Sequence, residues 1–194
     1  MNFRYGTEEA DYLSRRDPAL GAWIQKLGVL EWSVIPDVFE ALMSSITAQQ
    51  VSGKAYQTVW GRLTARGLTT PDKYLAIPHE ELAALGVGPK KAKWMRAAAE
   101  RAQELSVLPE LNDEDAIRKL VSFDGVGRWT AEMLLIFSLN RMNILSQGDF
   151  GIRKALNMLH GDGADRDFAR FRELYAPYAS VASLYLWEIA NGAV

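Results

Sequence analysis

Cysteine is absent from this chain of 194 residues. That excludes disulfides, a cysteine-ligated iron–sulfur cluster, a zinc ribbon and a thiol nucleophile, and it fits a reducing interior, so a cytoplasmic setting is expected. Also missing is any apolar run long enough to span a bilayer. The N-terminal stretch is charged and lacks the apolar block of a signal peptide, so no membrane partner is expected. Histidine is scarce: there are 2, His79 and His160. No cluster of His, Asp and Glu has the ligand spacing of a divalent metal site. Positive charge is not in excess either. The formal net charge is -2, and such a total does not advertise a nucleic-acid partner.

What is present is a helical pattern. Hydrophobic residues make up 48% of the chain, enough for a sizeable core, and no segment alternates with period two for long enough to be a strand. Pro18, Pro36, Pro71, Pro89 and Pro177 each stand where a helix can begin, because the first turn has N–H groups without partners anyway. Asp17 caps a helix that Gly28 stops, and Ser52 caps another that stops near Gly67. The pattern predicts one long helix from Pro89 through Leu105. A further helix starts at the turn "FDGVGRWTAEMLLIF", and three more cover 149–159, 165–175 and 177–190.

Local charge says more than the total. Lys90, Lys91, Lys93, Arg96 and Arg101 lie close together, opposed only by Glu100. On its own such a run reads as a solvated helix face. It follows the first of two Gly-Val-Gly turns, at 86–88 and 125–127. In the second, glycine lets the backbone fold tightly, and the N–H groups of the following helix carry partial positive charge. Gly125, Val126, Gly127 and Arg128 therefore form a small anion site. No Lys-Ser/Thr follows, which disfavours a nucleoside triphosphate and favours a backbone phosphate. An ordinary helix–helix corner is the competing reading.

The residues around that turn separate the two. "GVGRWTA" resembles the helix-hairpin-helix of the DNA glycosylase superfamily that includes endonuclease III and 3-methyladenine DNA glycosylase II. "GDFGIRKAL" at 148–156 resembles the segment carrying that family's catalytic aspartate. "PYASVASLYLW" at 177–187 resembles its closing helix, and "ITAQQVSGKA" at 46–55 its minor-groove loop. The likeness runs in order from about residue 17 to the C-terminus.

The resemblance implies roles for particular residues. Asp149 matches the catalytic aspartate. Independently of the family, losing a base leaves positive charge on the sugar, and a fixed carboxylate stabilises it. Asp149 also reads as a helix N-cap, and the two roles agree because a helix start favours negative charge. Trp129, Phe150 and Trp187 match the base pocket, where indole faces attract cationic bases. Core packing is the alternative for any one of them. Trp129 stands where lyase-competent relatives have lysine, so no Schiff base and no strand cleavage are expected. Gln50, with Gln49 beside it, matches the side chain that fills the gap left by an extruded nucleotide. Thr130, Lys90 and Lys91 complete the expected DNA contacts, with the glycine turn and Arg128. The backbone carbonyls of Val121, Phe123 and Val126 match a monovalent-cation site, Na+ or K+, and no cofactor is required. Asp124, Ser146 and Ala179 depart from the family pattern, which bears on substrate breadth.

The expected fold is all-α and two-lobed. Residues 33–143 form a central lobe with the helix-hairpin-helix at about 113–140, residues 1–32 and 144–194 form the other, and a cleft lies between them. The expected function is that of a monofunctional DNA glycosylase, acting as a monomer on double-stranded DNA with damaged bases such as 3-methyladenine. A glycosylase for uracil or a mismatched pyrimidine, and a catalytically silent binder of distorted DNA, are the rivals.

Overall fold

The computed structural model describes residues 1–192. Its regular structure is helical, and among the described residues the extended pairing is one isolated bridge, Asn2 with Ser33. In chain order the α-helices are α1 (Thr7–Arg16), α2 (Pro18–Leu27), α3 (Val38–Ala48), α4 (Gly53–Ala65), α5 (Pro71–Ala76), α6 (His79–Leu82), α7 (Gly88–Glu100), α8 (Asp113–Val121), α9 (Arg128–Phe137), α10 (Phe150–His160), α11 (Phe168–Tyr175) and α12 (Ala179–Ala190). Among the described residues none is long and apolar enough to cross a membrane. The chain divides into two compact units. One comprises Met1–Val34 with the segment from Asn140 onward, and the other Ile35–Leu139.

In the first unit α12 is the centre. Every side chain from Ala179 to Leu186 is buried. A helix apolar on all sides must be surrounded, and α1, α2, α10 and α11 pack on it. Each buried leucine or isoleucine contributes roughly 1.5–3 kcal/mol relative to exposure. Asp17 caps α2 as the sequence suggests: its Oδ1 accepts the N–H groups of Ala19 and Leu20. Its Oδ2 accepts the Tyr175 hydroxyl at 2.7 Å and lies 3.1 Å from His160 Nε2. A carboxylate only 3% exposed is tolerable with that many partners. Pro177 does not open the last helix, which begins two residues later behind Tyr178.

In the second unit α3 is the centre, with Leu42, Met43 and Ile46 buried against α4, α7 and α9. Ser52 caps α4 through Ala55 N–H. The long helix expected through Leu105 breaks after Glu100. Arg101 leaves helical geometry, and its guanidinium donates to the Glu104 carboxylate, the Ser122 carbonyl and the Ser122 hydroxyl. A short 3-10 turn, Ala102–Leu105, follows. A tertiary bond to the end of α8 outweighs local helix preference there.

Candidate active site

Asp149 sits at the N-terminus of α10. Its Oδ1 accepts two N–H groups, from the backbone of Ile152 at 2.9 Å and from the indole of Trp187 at 3.1 Å. The cap fixes the carboxylate from its own helix and the indole fixes it from α12. Gly151 leaves room beside the second contact. A Cβ there would stand 3.1 Å from the Trp187 ring and 3.2 Å from Asp149 Oδ1. The segment leading to Asp149 is fastened to the same helix as Trp187. Ser180 Oγ accepts Ile144 N–H and donates to the Arg141 carbonyl, and Ser183 Oγ donates to the Ile144 carbonyl. Carboxylate and indole therefore share one support, and their spacing is set by α12. Asp149 is 7% exposed.

Trp187 has an aromatic neighbour that the sequence reading did not name. Trp32, in the segment after α2, lies with its ring 5.5 Å from that of Trp187 at 40°. Offset and tilted pairs of this kind are favourable. No periodicity marks Trp32, since it lies outside any helix. The usable signal was a large indole in an irregular connection, which needs a packing partner. Phe150 lies at the surface of its unit. Its ring is 80% exposed and borders a groove of about 480 Å³ with Arg153, Lys154 and Met158. Successive residues at a helix start face about 100° apart, so the position after Asp149 does not share its surroundings.

In the other unit, α8 and α9 are joined by the glycine turn. Gly125 has φ +79, a conformation that side-chain-bearing residues avoid. A Cβ on it would also lie 2.5 Å from the Trp94 ring. Val126 is buried and its N–H donates to the Phe123 carbonyl at 3.1 Å. Gly127 has φ -89 and precedes α9 with no side-chain cap, and a Cβ on it would meet nothing within 4 Å. The first turn of α9 thus offers backbone N–H groups beside a position kept clear, which is what close approach of an anion requires.

Arg128 has partners within the protein. Its guanidinium takes Glu114 in a two-pronged contact, at 2.6 and 3.2 Å, and Glu132 at 3.0 Å. It braces α8 against α9 and so shapes the hairpin. Thr130 is buried. Trp129 is 48% exposed. With Ser45, Ala48, Gln49, Gln50 and Met133 it lines a depression of about 410 Å³, a size within the range of small-molecule pockets.

Gln49 and Gln50 follow α3. Gln50 is exposed and has φ 54, unusual for a residue with a side chain. Gln49 turns back, its Nε2 donating to the Gly125 carbonyl at 2.8 Å. Lys90 is exposed, with its ammonium 4.8 Å from the centre of the Trp94 ring. Lys91 is bonded within its own unit. Its ammonium donates to the carbonyls of Thr47 at 2.9 Å and Gln49 at 2.6 Å, and partial burial pushes its pKa down.

Comparison with known proteins covers both halves of this arrangement. Residues 43–177, which contain the hairpin and Asp149, match the HhH-GPD superfamily of base excision DNA repair proteins. The chain is similar to DNA-3-methyladenine glycosylase 1 of Schizosaccharomyces pombe, with 29% identity over 166 residues, 79% of this chain and 72% of that one. Its fold is similar to that of a DNA-3-methyladenine glycosidase from Bacillus halodurans, with a TM-score of 0.87 and 30% identity over 97% of this chain and 93% of that one. It is also similar to a 3-methyladenine DNA glycosylase of S. pombe in complex with abasic DNA, with a TM-score of 0.81 and 26% identity over 96% of this chain and 98% of that one. With the match spanning most of its length, the chain belongs to the HhH-GPD superfamily of base excision DNA repair proteins.

Proposed function

We propose that the protein is a monofunctional DNA glycosylase, active as a monomer. It extrudes an alkylated base such as 3-methyladenine from double-stranded DNA and hydrolyses the bond joining base to sugar. The product is an abasic site, the substrate of later steps in base excision repair. The relatives named above, glycosylases of 3-methyladenine, support this reading. The observation that carries it is the Asp149 carboxylate, gripped at Oδ1 by a helix N-terminus and an indole N–H.

The chemistry follows from that geometry. As the bond between C1′ and the base nitrogen lengthens, its electron pair leaves with the base and the sugar becomes cationic. A carboxylate already oriented by two donors stabilises that charge without reorganising. Water then adds to C1′, and its proton passes to solvent or to the carboxylate. A base alkylated at a ring nitrogen is cationic beforehand and departs neutral, so no general acid is required. Neither histidine is called upon: His160 faces Asp17 in the core, and His79 begins α6. The paired indoles of Trp187 and Trp32 suit a cationic ring, each face contributing roughly 0.5–2 kcal/mol.

Hydrogen bonding of α9's first-turn N–H groups to a backbone phosphate positions the duplex, and Gln50 replaces the extruded nucleotide in the stack. Trp129 supplies no amine, so the sugar forms no Schiff base and the strand stays intact. The carbonyls of Val121, Phe123 and Val126 are neutral oxygen donors, which suit Na+ or K+ better than a transition metal. Such an ion would draw phosphate toward the turn and takes no part in bond cleavage. The test is base release from methylated duplex DNA, with free bases and strand length both analysed. The wild type is expected to release 3-methyladenine and leave the strand whole. Release of uracil alone, or of no base, would overturn the proposal.

A further inference from the structure

Helix α7 touches both loops expected to meet DNA, through neighbouring residues. Lys91 reaches the end of α3, where the last carbonyls of a helix lack intrahelical partners and carry partial negative charge. Its ammonium holds two of them, those of Thr47 and Gln49. One helical turn further on, where i and i+3 share a face, Trp94 packs so closely on Gly125 that no Cβ fits between them. The Gln49 amide closes the circuit with its bond to the Gly125 carbonyl. Gln50 follows directly, in the left-handed backbone region that only surrounding constraints maintain.

We propose that Lys91 is a positioning residue for base extrusion: its ammonium, chelated by the carbonyls of Thr47 and Gln49, locks the loop that presents Gln50, and Trp94 fixes that loop's support against the phosphate-gripping turn. The inference rests on Gln50 acting as the side chain that fills the vacated stack. It also explains why a lysine in a basic run is turned inward. Free lysines add attraction to any duplex, whereas this one sets the distance between the wedge and the phosphate grip. Without it Gln50 relaxes to ordinary backbone angles, and the competent loop becomes a minor state.

The test is a double-mutant cycle with Lys91→Met and Gln50→Ala, read in three ways. Single-turnover release of 3-methyladenine from methylated duplex reports extrusion and chemistry. Fluorescence of 2-aminopurine beside a lesion reports unstacking. Affinity for unmodified duplex across a salt series reports phosphate contacts. Lys91→Met is expected to slow release about tenfold, the scale of losing an enforced left-handed residue, and to reduce the unstacking signal. Affinity for unmodified duplex and its salt slope stay unchanged. In the Gln50→Ala background Lys91→Met adds no further loss, because it acts through Gln50. Lys91→Gln, which keeps an N–H donor, is measured alongside and preserves the cycle should Lys91→Met fold poorly. A salt slope lowered by about one, with equal loss on every duplex, would make Lys91 a plain phosphate contact and overturn the proposal. Losses that multiply in the double variant would overturn it too. Wild-type release by Gln50→Ala would remove the wedge and this inference with it, while leaving the glycosylase assignment standing.

Discussion

Replacing Gly125 with alanine is expected to lower the melting temperature by about 6–12 °C, while the same change at Gly127 shifts it by less than about 3 °C. The difference follows from two features of the turn. Gly125 has φ +79, and placing a side-chain-bearing residue there costs roughly 1–2 kcal/mol. The new methyl would also stand 2.5, 2.7 and 2.9 Å from three carbons of the Trp94 ring, where contacts of about 3.5–4.0 Å are optimal. The ring must withdraw by about 1 Å, away from its place beside Lys90, and overpacking of this kind costs about 1–3 kcal/mol. The sum is about 2–5 kcal/mol, centred near 3, and each kcal/mol moves melting by about 2–4 °C in a chain of this size. Gly127 has φ -89 and open space where a methyl would go. There the entropy removed from the unfolded chain, about 0.4–1 kcal/mol, offsets the weaker capping by alanine. Thermal unfolding followed by circular dichroism measures both. Binding to unmodified duplex separates them again: Gly127→Ala, though stable, is expected to bind weakly because its methyl occupies the space a phosphate needs. Equal melting shifts in the two variants, or a Gly125→Ala protein that melts with the parent, would refute the account of the turn. So would tight DNA binding by Gly127→Ala.

Other variants test the chemistry and the ion pairs. Asp149→Asn keeps an oxygen for Ile152 and Trp187, and Asn caps helices as well as Asp. Melting should hold while base release falls by about a thousandfold, the loss of a unit charge at about 4 Å in an effective dielectric near 20, roughly 4 kcal/mol. Release within tenfold of wild type would contradict the role of the carboxylate. Trp187→Phe keeps a ring near Trp32 but removes the N–H bonded to Asp149 Oδ1. A hydrogen bond to a charged group is worth about 1.5–3 kcal/mol, so single-turnover release should slow by about ten- to a hundredfold. Glu104 accepts hydrogen bonds from Arg101 and Lys119, which pull its pKa from 4.5 down to about 2. Its stabilisation is complete above the unfolded value and is lost as pH falls through the folded one. Urea midpoints should therefore decline between about pH 4.5 and about pH 2, and Glu104→Gln should flatten that part of the curve.

Short-range physics made much of the chain readable from its order of residues. The caps at Asp17, Ser52 and Asp149 follow from a side-chain oxygen meeting an N–H two or three residues on, and helical apolar spacing marked which faces would be covered. The glycine turn was legible because the backbone angles at Gly125 admit few other residues. Contacts between distant segments were not. Trp32 meets Trp187 across more than a hundred and fifty residues of chain, and how far Phe150, next to Asp149, is exposed depends on the same packing. The partners that Arg128 and Lys91 take within the protein are also invisible in a string of letters. Folding gives them Glu114 and two backbone carbonyls to hold. A charged group bonds to whatever is nearest once the backbone has closed, and only the packed helices decide what that is.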